Sequence, residues 1–224
     1  MLIFNLYTNN NIVLIQMKRA GVIKWPAGEQ QIDALSYCSA AGRRKSMRFE
    51  NPFELQEAYS ILATGDWRVL AGGTDFYPSL NGRVPRSNVL DITNLKSIKG
   101  ISRDEDGDWH IGALTTWTDL IEEDLPSSFD GLKLSAREVG SVQIQNRATL
   151  VGNICNASPA ADGVPPLLTL GARVKIGSMA GERRMLLHDF IQGNRKTALK
   201  PGEIVIGVVL PANSTSGVSS FLKL

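Results

Sequence analysis

Cysteine and histidine are scarce in this 224-residue sequence, two of each, and their positions exclude more than their number does. Cys38 and Cys155 lie far apart with no Cys-x-x-Cys spacing, so neither a disulfide framework nor a cysteine-rich metal site can be assembled from them. His110 and His188 stand outside any His-Glu-x-x-His pattern and are read as surface or hydrogen-bonded structural residues rather than zinc ligands. No run of about 18 apolar residues occurs, so no membrane span is expected. Met1 to Ile15 makes a poor signal peptide, because Asn5 and Thr8 to Asn11 interrupt it and no cationic stretch precedes it; the expectation is a cytoplasmic protein. Charge of one sign is also missing. The formal net charge is +2 with the basic residues scattered, so no nucleic-acid partner is expected.

The chain is 43% hydrophobic and 21% charged, enough apolar material to bury a core in one domain or two small ones. Residues 1–46 are irregular in pattern, and small and basic residues from Ala40 to Ser46 separate them from a well-patterned body. In that body, Asn51 and Pro52 have the chemistry of an N-cap and first position for a helix through Leu62, with Gly65 ending it. Trp67 to Ala71, Val89 to Ile92 and Asp108 to Ile111 have strand composition, and Thr115 or Thr116 can cap a helix through Glu122. Leu132 to Val139 has helical spacing, Arg173 to Ile176 and Arg183 to Leu187 fit a hairpin around Met179-Ala-Gly, and Glu203 to Leu210 is a β-branched strand. The elements mix without regular βαβ alternation, which is α+β patterning.

Two segments carry chemistry. In Val69-Leu-Ala-Gly-Gly-Thr-Asp-Phe76 a strand runs into two glycines followed by a hydroxyl and a carboxylate. Glycine lets main-chain N–H groups approach a diphosphate, and Thr74 adds a donor, although an ordinary turn has the same composition. The third glycine and helix of a Gly-x-Gly-x-x-Gly fingerprint are missing and Pro78 follows, which disfavours a Rossmann site. The chain likewise has no phosphate-binding Gly-x-x-x-x-Gly-Lys loop and no Gly-x-Ser-x-Gly elbow, so P-loop hydrolysis and serine hydrolase chemistry lose their support. The second segment, Gly140 to Asp162, is dense in small residues, amides and hydroxyls while Val142, Ile144, Leu150 and Ile154 point to partial burial. Buried polar groups without partners cost about 1–3 kcal/mol each, so such a cluster is a solvated loop or the lining of a polar ligand's cavity.

Together the two segments resemble the FAD signatures of the flavoprotein subunits of the molybdenum hydroxylase family, which includes xanthine dehydrogenase and carbon monoxide dehydrogenase. The residues carrying the likeness are Ala71-Gly-Gly-Thr-Asp75 and Gln143-Ile-Gln-Asn-Arg-Ala-Thr-Leu-Val-Gly-Asn153 continuing through Ala157-Ser-Pro-Ala-Ala-Asp162. Lys196 to Glu203 and Phe221 to Lys223 extend it, from about Met47 to the end of the chain. The resemblance implies an α+β, PCMH-type (vanillyl-alcohol-oxidase-type) FAD-binding domain of two subdomains, about 47–105 and 106–212, without the family's C-terminal domain. Residues 213–224 would begin a truncated C-terminal region and residues 1–46 would be an extension outside the match, with disorder among the expectations.

By the same resemblance Val69, Leu70, Ala71, Gly72, Gly73, Thr74, Asp75 and Phe76 would bind the FAD diphosphate, Thr149, Leu150, Val151, Gly152 and Asn153 would wrap its other side, and Val139 and Gly140 would also belong to the cofactor site. Asp162 would accept a hydrogen bond from the flavin or its ribityl chain, and Val205 and Lys223 would flank the flavin. Two positions depart from the pattern: Gln145 replaces a frequent arginine, and Val151 replaces the first glycine of Gly-Gly. Positive φ at Val151 would cost on the order of 1–3 kcal/mol. The implied activity is electron transfer from iron–sulfur clusters through FAD to NAD or another acceptor. The iron–sulfur and molybdenum-cofactor subunits would be partners, since two cysteines cannot ligate a [2Fe–2S] cluster. The alternatives are a free-standing flavin oxidoreductase of this domain type and a flavin-free interaction subunit.

Overall fold

The structure is a computed structural model that describes residues 3–8, 11–16 and 47–223. Two compact units divide the chain, 1–46 and 47–224. In the first, strands β1 (Ile3–Thr8) and β2 (Asn11–Gln16) pair antiparallel in the register Ile3 to Gln16 and Thr8 to Asn11. Residues 17–46, with Cys38 and most of the expected disordered extension, lie outside the described residues.

The second unit begins with a three-stranded parallel sheet in the order β3 (Phe49–Glu50), β5 (Asn88–Asp91), β4 (Trp67–Leu70). Helix α1 (Leu55–Leu62) joins β3 to β4, and α2 (Phe76–Ser79) lies between β4 and β5. Two βαβ units are therefore present where sequence patterning showed no alternation. They escape a pattern search because β3 has two residues and α2 four, too few for periodicity. The expected cap at Asn51 is also displaced. Its side chain donates to the Asp91 carbonyl at 2.9 Å and accepts from Asn94, tying β3 to the end of β5, while Glu54 occupies the N-cap position without a side-chain bond.

A five-stranded antiparallel sheet follows, in the order β6 (Ile101–Arg103), β7 (Trp109–Gly112), β12 (Ile204–Leu210), β8 (Arg173–Ser178), β9 (Gly181–Leu186). The change of sheet thus falls between β5 and β6. All seven residues of β12 are buried, as befits an uninterrupted Ile-Val-Ile-Gly-Val-Val-Leu run at the centre of a sheet covered on both faces. Between β7 and β8 come α3 (Trp117–Glu122), α4 (Asp130–Arg137), α5 (Val142–Gln145), α6 (Leu150–Asn156) and α7 (Val164–Thr169). The short α8 (Leu187–Phe190), β10 (Ile191–Gly193) and β11 (Lys196–Thr197) lead back into β12.

Thr116 caps α3 as its residue type predicts. Its Oγ1 accepts from Asp119 N at 3.1 Å while the Asp119 carboxylate accepts from Thr116 N at 2.9 Å, the reciprocal capping box. The main core joins the large sheet to these helices through fully buried Trp117, Leu120, Phe129, Leu132, Leu150, Ile154, Leu167 and Phe190. Tyr59 of α1 reaches the same core and stacks on Gly177, where an added Cβ would stand 1.9 Å from the tyrosine hydroxyl. That close approach couples the helix of the parallel sheet to β8. Among the described residues no helix is long and apolar enough to cross a membrane, and no group of three or more His, Cys, Asp or Glu side chains could hold a metal ion. His110 and His188 each pair with a carboxylate, Asp104 at 2.7 Å and Asp189 at 3.0 Å.

Candidate cofactor cleft

Three separate stretches of chain meet at a cleft of about 420 Å³, within the range of small-molecule and cofactor sites. The β4–α2 turn supplies one wall, the start of α6 a second, and the entry into β12 a third. Of the site residues expected from the sequence, Val69, Ala71, Gly72, Gly73, Thr74, Asp75 and Phe76 line it from the first wall, Val139, Thr149, Val151, Gly152 and Asn153 from the second, and Val205 from the third. Leu70 instead packs with Phe76 and Val89 in a small apolar cluster, and Leu150, the first residue of α6, is wholly buried in the main core. Gly140 lies beside the cleft with φ +55, its α-carbon against the Ile144 side chain. Asp162 and Lys223 are outside the lining and bond to each other, Lys223 Nζ to Asp162 Oδ1 at 2.9 Å.

Local chemistry explains each wall. The Gly72 Cα lies so close to the opposite loop that a Cβ there would fall 1.9 Å from the Arg147 carbonyl oxygen, so the first two walls touch only because position 72 has no side chain. Gly73 has φ +77, and a side chain there would also strike the Tyr77 ring. Among the described residues the backbone N–H groups of Gly72, Gly73, Thr74 and Asp75 donate to no acceptor in the chain. Four consecutive uncommitted donors on a glycine turn suit an anion such as a diphosphate, which would satisfy them.

On the second wall, Thr149 caps α6 by accepting from Gly152 N at 2.9 Å, leaving its hydroxyl hydrogen free to donate. The Thr149 segment is pinned between Trp117 N, which donates to Ala148 O at 3.1 Å, and Thr115 O, which accepts from Leu150 N at 3.1 Å. Val151 sits in the helix, 4% exposed and absent from the positive-φ residues, so the strain expected of a valine in place of glycine does not arise. Gln145 Nε2 donates to the carbonyls of Arg137 and Val139 at 3.1 and 3.2 Å, closing the C-terminus of α4 beside the cleft. Two lining residues keep buried polar atoms without partners, Trp117 Nε1 and Asn153 Oδ1. Burial pushes the Cys155 thiol up to about 12, which keeps it protonated and unreactive at neutral pH.

Sequence reasoning assigned no role to Trp117, Cys155, Leu199 or Glu203, all of which line the cleft. For Glu203 a signal was present, since Lys196 to Glu203 belongs to the family resemblance. Its carboxylate accepts from Arg183 Nε at 2.8 Å and Nη2 at 2.7 Å and from Lys200 N at 2.8 Å. The Arg183 hydrogen bonds hold its carboxyl below the usual carboxylate range.

Residues 45–213 match the family described as the FAD-binding domain in molybdopterin dehydrogenase. The chain is 36% identical to the nicotinate dehydrogenase FAD-subunit of Eubacterium barkeri, over 80% of this chain and 63% of that one. It is 35% identical to a xanthine dehydrogenase FAD-binding subunit of Escherichia coli O157:H7, over 74% of this chain and 58% of that one. Among solved structures, quinoline 2-oxidoreductase from Pseudomonas putida 86 superposes with a TM-score of 0.67 at 29% identity, covering 75% of this chain and 59% of that one. The chain therefore spans less than two thirds of the length of these relatives. The glycine turn with its uncommitted donors, the capped α6 and the family match agree: this chain belongs to the FAD-binding domain family of the molybdopterin dehydrogenases, and its cofactor is FAD.

Proposed function

We propose that the protein is the FAD-binding electron-transfer subunit of a xanthine dehydrogenase-like molybdenum hydroxylase. The observation that carries this reading is the run of uncommitted N–H groups from Gly72 to Asp75, residues that line a cleft closed by the Thr149-capped helix. In this reading the turn holds the diphosphate and Thr149, Gly152 and Asn153 hold its other side and the ribityl chain. Asp162 and Lys223 lie near the flavin end, and Val205 flanks the ring. The parallel-sheet region from Met47 and the antiparallel-sheet region to about residue 212 act as the two subdomains of one FAD-binding domain.

When bound, FAD supplies two-electron redox chemistry, accepting electrons from iron–sulfur clusters and giving them to NAD or another acceptor. The chain's own residues bind, orient and shield it. Partners in this reading are an iron–sulfur subunit and a molybdenum-cofactor subunit, since a [2Fe–2S] cluster takes four cysteine ligands and this sequence has two, and the setting is cytoplasmic. Substrate oxidation at a CH or CH–NH group belongs to the molybdenum subunit. The helical setting of Val151 removes the backbone strain that counted toward a flavin-free role. The test is reconstitution of the FAD-loaded chain with both partner subunits and a reducing substrate. Bleaching of the flavin's long-wavelength absorption band only when all three are present is the expected result, and bleaching by substrate without the partners would overturn the subunit reading.

A further inference from the structure

Glu203 is the acidic member of the third cleft wall, with a side chain 11% exposed. It is held at two points by the Arg183 fork, Nε to Oε1 at 2.8 Å and Nη2 to Oε2 at 2.7 Å. The same Nη2 donates to Ala198 O at 3.2 Å, and Lys200 N–H donates to Glu203 Oε2 at 2.8 Å. One guanidinium on β9 thus fastens both ends of the turn from Ala198 to Glu203. Leu199, Glu203, Ile204 and Val205 of that turn and of the β12 entry line the cleft. Such two-point contacts fix orientation as well as charge, and a lysine cannot reproduce them.

We propose that Arg183 is a positioning residue for the cofactor, acting through Glu203: it sets the wall formed by Leu199 to Val205 and neutralises the one carboxylate in that wall. The inference rests on the reading of the cleft as the FAD site. A carboxylate left uncompensated there repels the anionic diphosphate and the extra negative charge of reduced flavin, whereas a guanidinium left uncompensated attracts both. Arg183 and Lys200 are the charged groups acting on Glu203, and the effect of Arg183 comes first. Removing either partner therefore has opposite consequences, which a purely structural role does not produce.

The experiment compares the full chain with Glu203→Gln, Arg183→Met, Arg183→Lys and the Glu203→Gln/Arg183→Met double variant. FAD affinity is read by flavin fluorescence, the two-electron reduction potential by dye-equilibrated titration, and folding by thermal melting. Glu203→Gln raises the potential. Arg183→Met lowers it and weakens FAD binding by about tenfold. The double variant returns close to the parent in potential, and Arg183→Lys, which keeps the charge without the fork, holds the potential near the parent even if Arg183→Met does not fold. Shifts of the same sign in the two single variants, a potential unmoved by either, or an Arg183→Lys potential as low as that of an unpaired Glu203 overturns the proposal. Parent protein that binds no FAD overturns the cleft reading first and the inference with it.

Discussion

Asp162 and Lys223, 61 residues apart in the chain, are joined by an ion pair in which Lys223 Nζ lies 2.9 and 3.2 Å from the two carboxylate oxygens. The pair links the segment ahead of α7 to the last described residues, with the Asp162 side chain 18% exposed and that of Lys223 47%. A half-exposed lysine gains little from such a contact, about 0–1 kcal/mol. Lys223→Met accordingly shifts the melting temperature slightly, and less at high salt. With both residues proposed to lie at the flavin end, Asp162→Asn and Lys223→Met each weaken FAD binding, which equilibrium binding to the two variants reads directly; unchanged affinity in both would place the pair outside the cofactor site.

Gly72→Ala places a methyl group 1.9 Å from the Arg147 carbonyl, backbone that cannot step aside. The two cleft walls must separate, at a cost on the order of 3 kcal/mol. Chemical denaturation gives the stability loss, and a gel filtration step in the presence of FAD shows the parallel loss of cofactor. A variant as stable as the parent would mean that the walls are not in contact in solution.

Val151→Gly restores the glycine common in the resembling family, yet here it removes a buried side chain from a helix. Helix propensity contributes only about 0.4 kcal/mol, since valine is itself a weak helix former, and lost burial about 1.5–2.5 kcal/mol, so the variant is destabilised by about 2–3 kcal/mol. FAD affinity does not improve, because no strain at Val151 is relieved. Tighter FAD binding by the glycine variant would show that the valine does obstruct the cofactor.

Tyr59 has a buried hydroxyl without a partner, and burial first, Glu182 second, pushes its pKa from 10.0 up to about 12. The folded state therefore holds this proton more tightly than the unfolded chain. That contribution to stability is complete below pH 10 and is lost as pH rises from 10 to about 12. Cys155, moved from 9.0 to about 12 by burial, adds a loss beginning one unit lower. Tyr59→Phe removes an unsatisfied polar atom and is expected to be neutral or stabilising by about 1 kcal/mol at neutral pH. Denaturant melts at a series of alkaline pH values should show a shallower decline in Tyr59→Phe than in the parent.

Much of this architecture is legible in the amino acids where local physics decides it. Thr115 and Thr116 announce a helix cap ahead of α3, the Ile-Val-Ile-Gly-Val-Val-Leu run announces a strand, and Met179-Ala-Gly announces the β8–β9 turn. The parallel pairing of β3 with β5 is not legible, since two residues carry no periodicity and the partner lies 40 positions away. Asn51 misleads for a related reason: a good capping residue finds a better partner in the Asp91 carbonyl of a neighbouring strand. At the cleft, the glycine turn and the Thr149 segment stand out because their composition is odd for an interior. Trp117 and Glu203 do not, because Trp117 looks like core and Glu203 acquires its setting only when β9 brings Arg183 against it.

Binding of FAD in the cleft between the Gly72–Asp75 turn and α6 is tested first by the visible absorption spectrum of the purified chain after incubation with FAD and desalting, together with the same measurement on Gly72→Ala. Stoichiometric flavin retained by the parent and lost from the variant is the predicted result. A parent chain that keeps its folded melting transition yet emerges colourless would show that the cleft does not hold FAD.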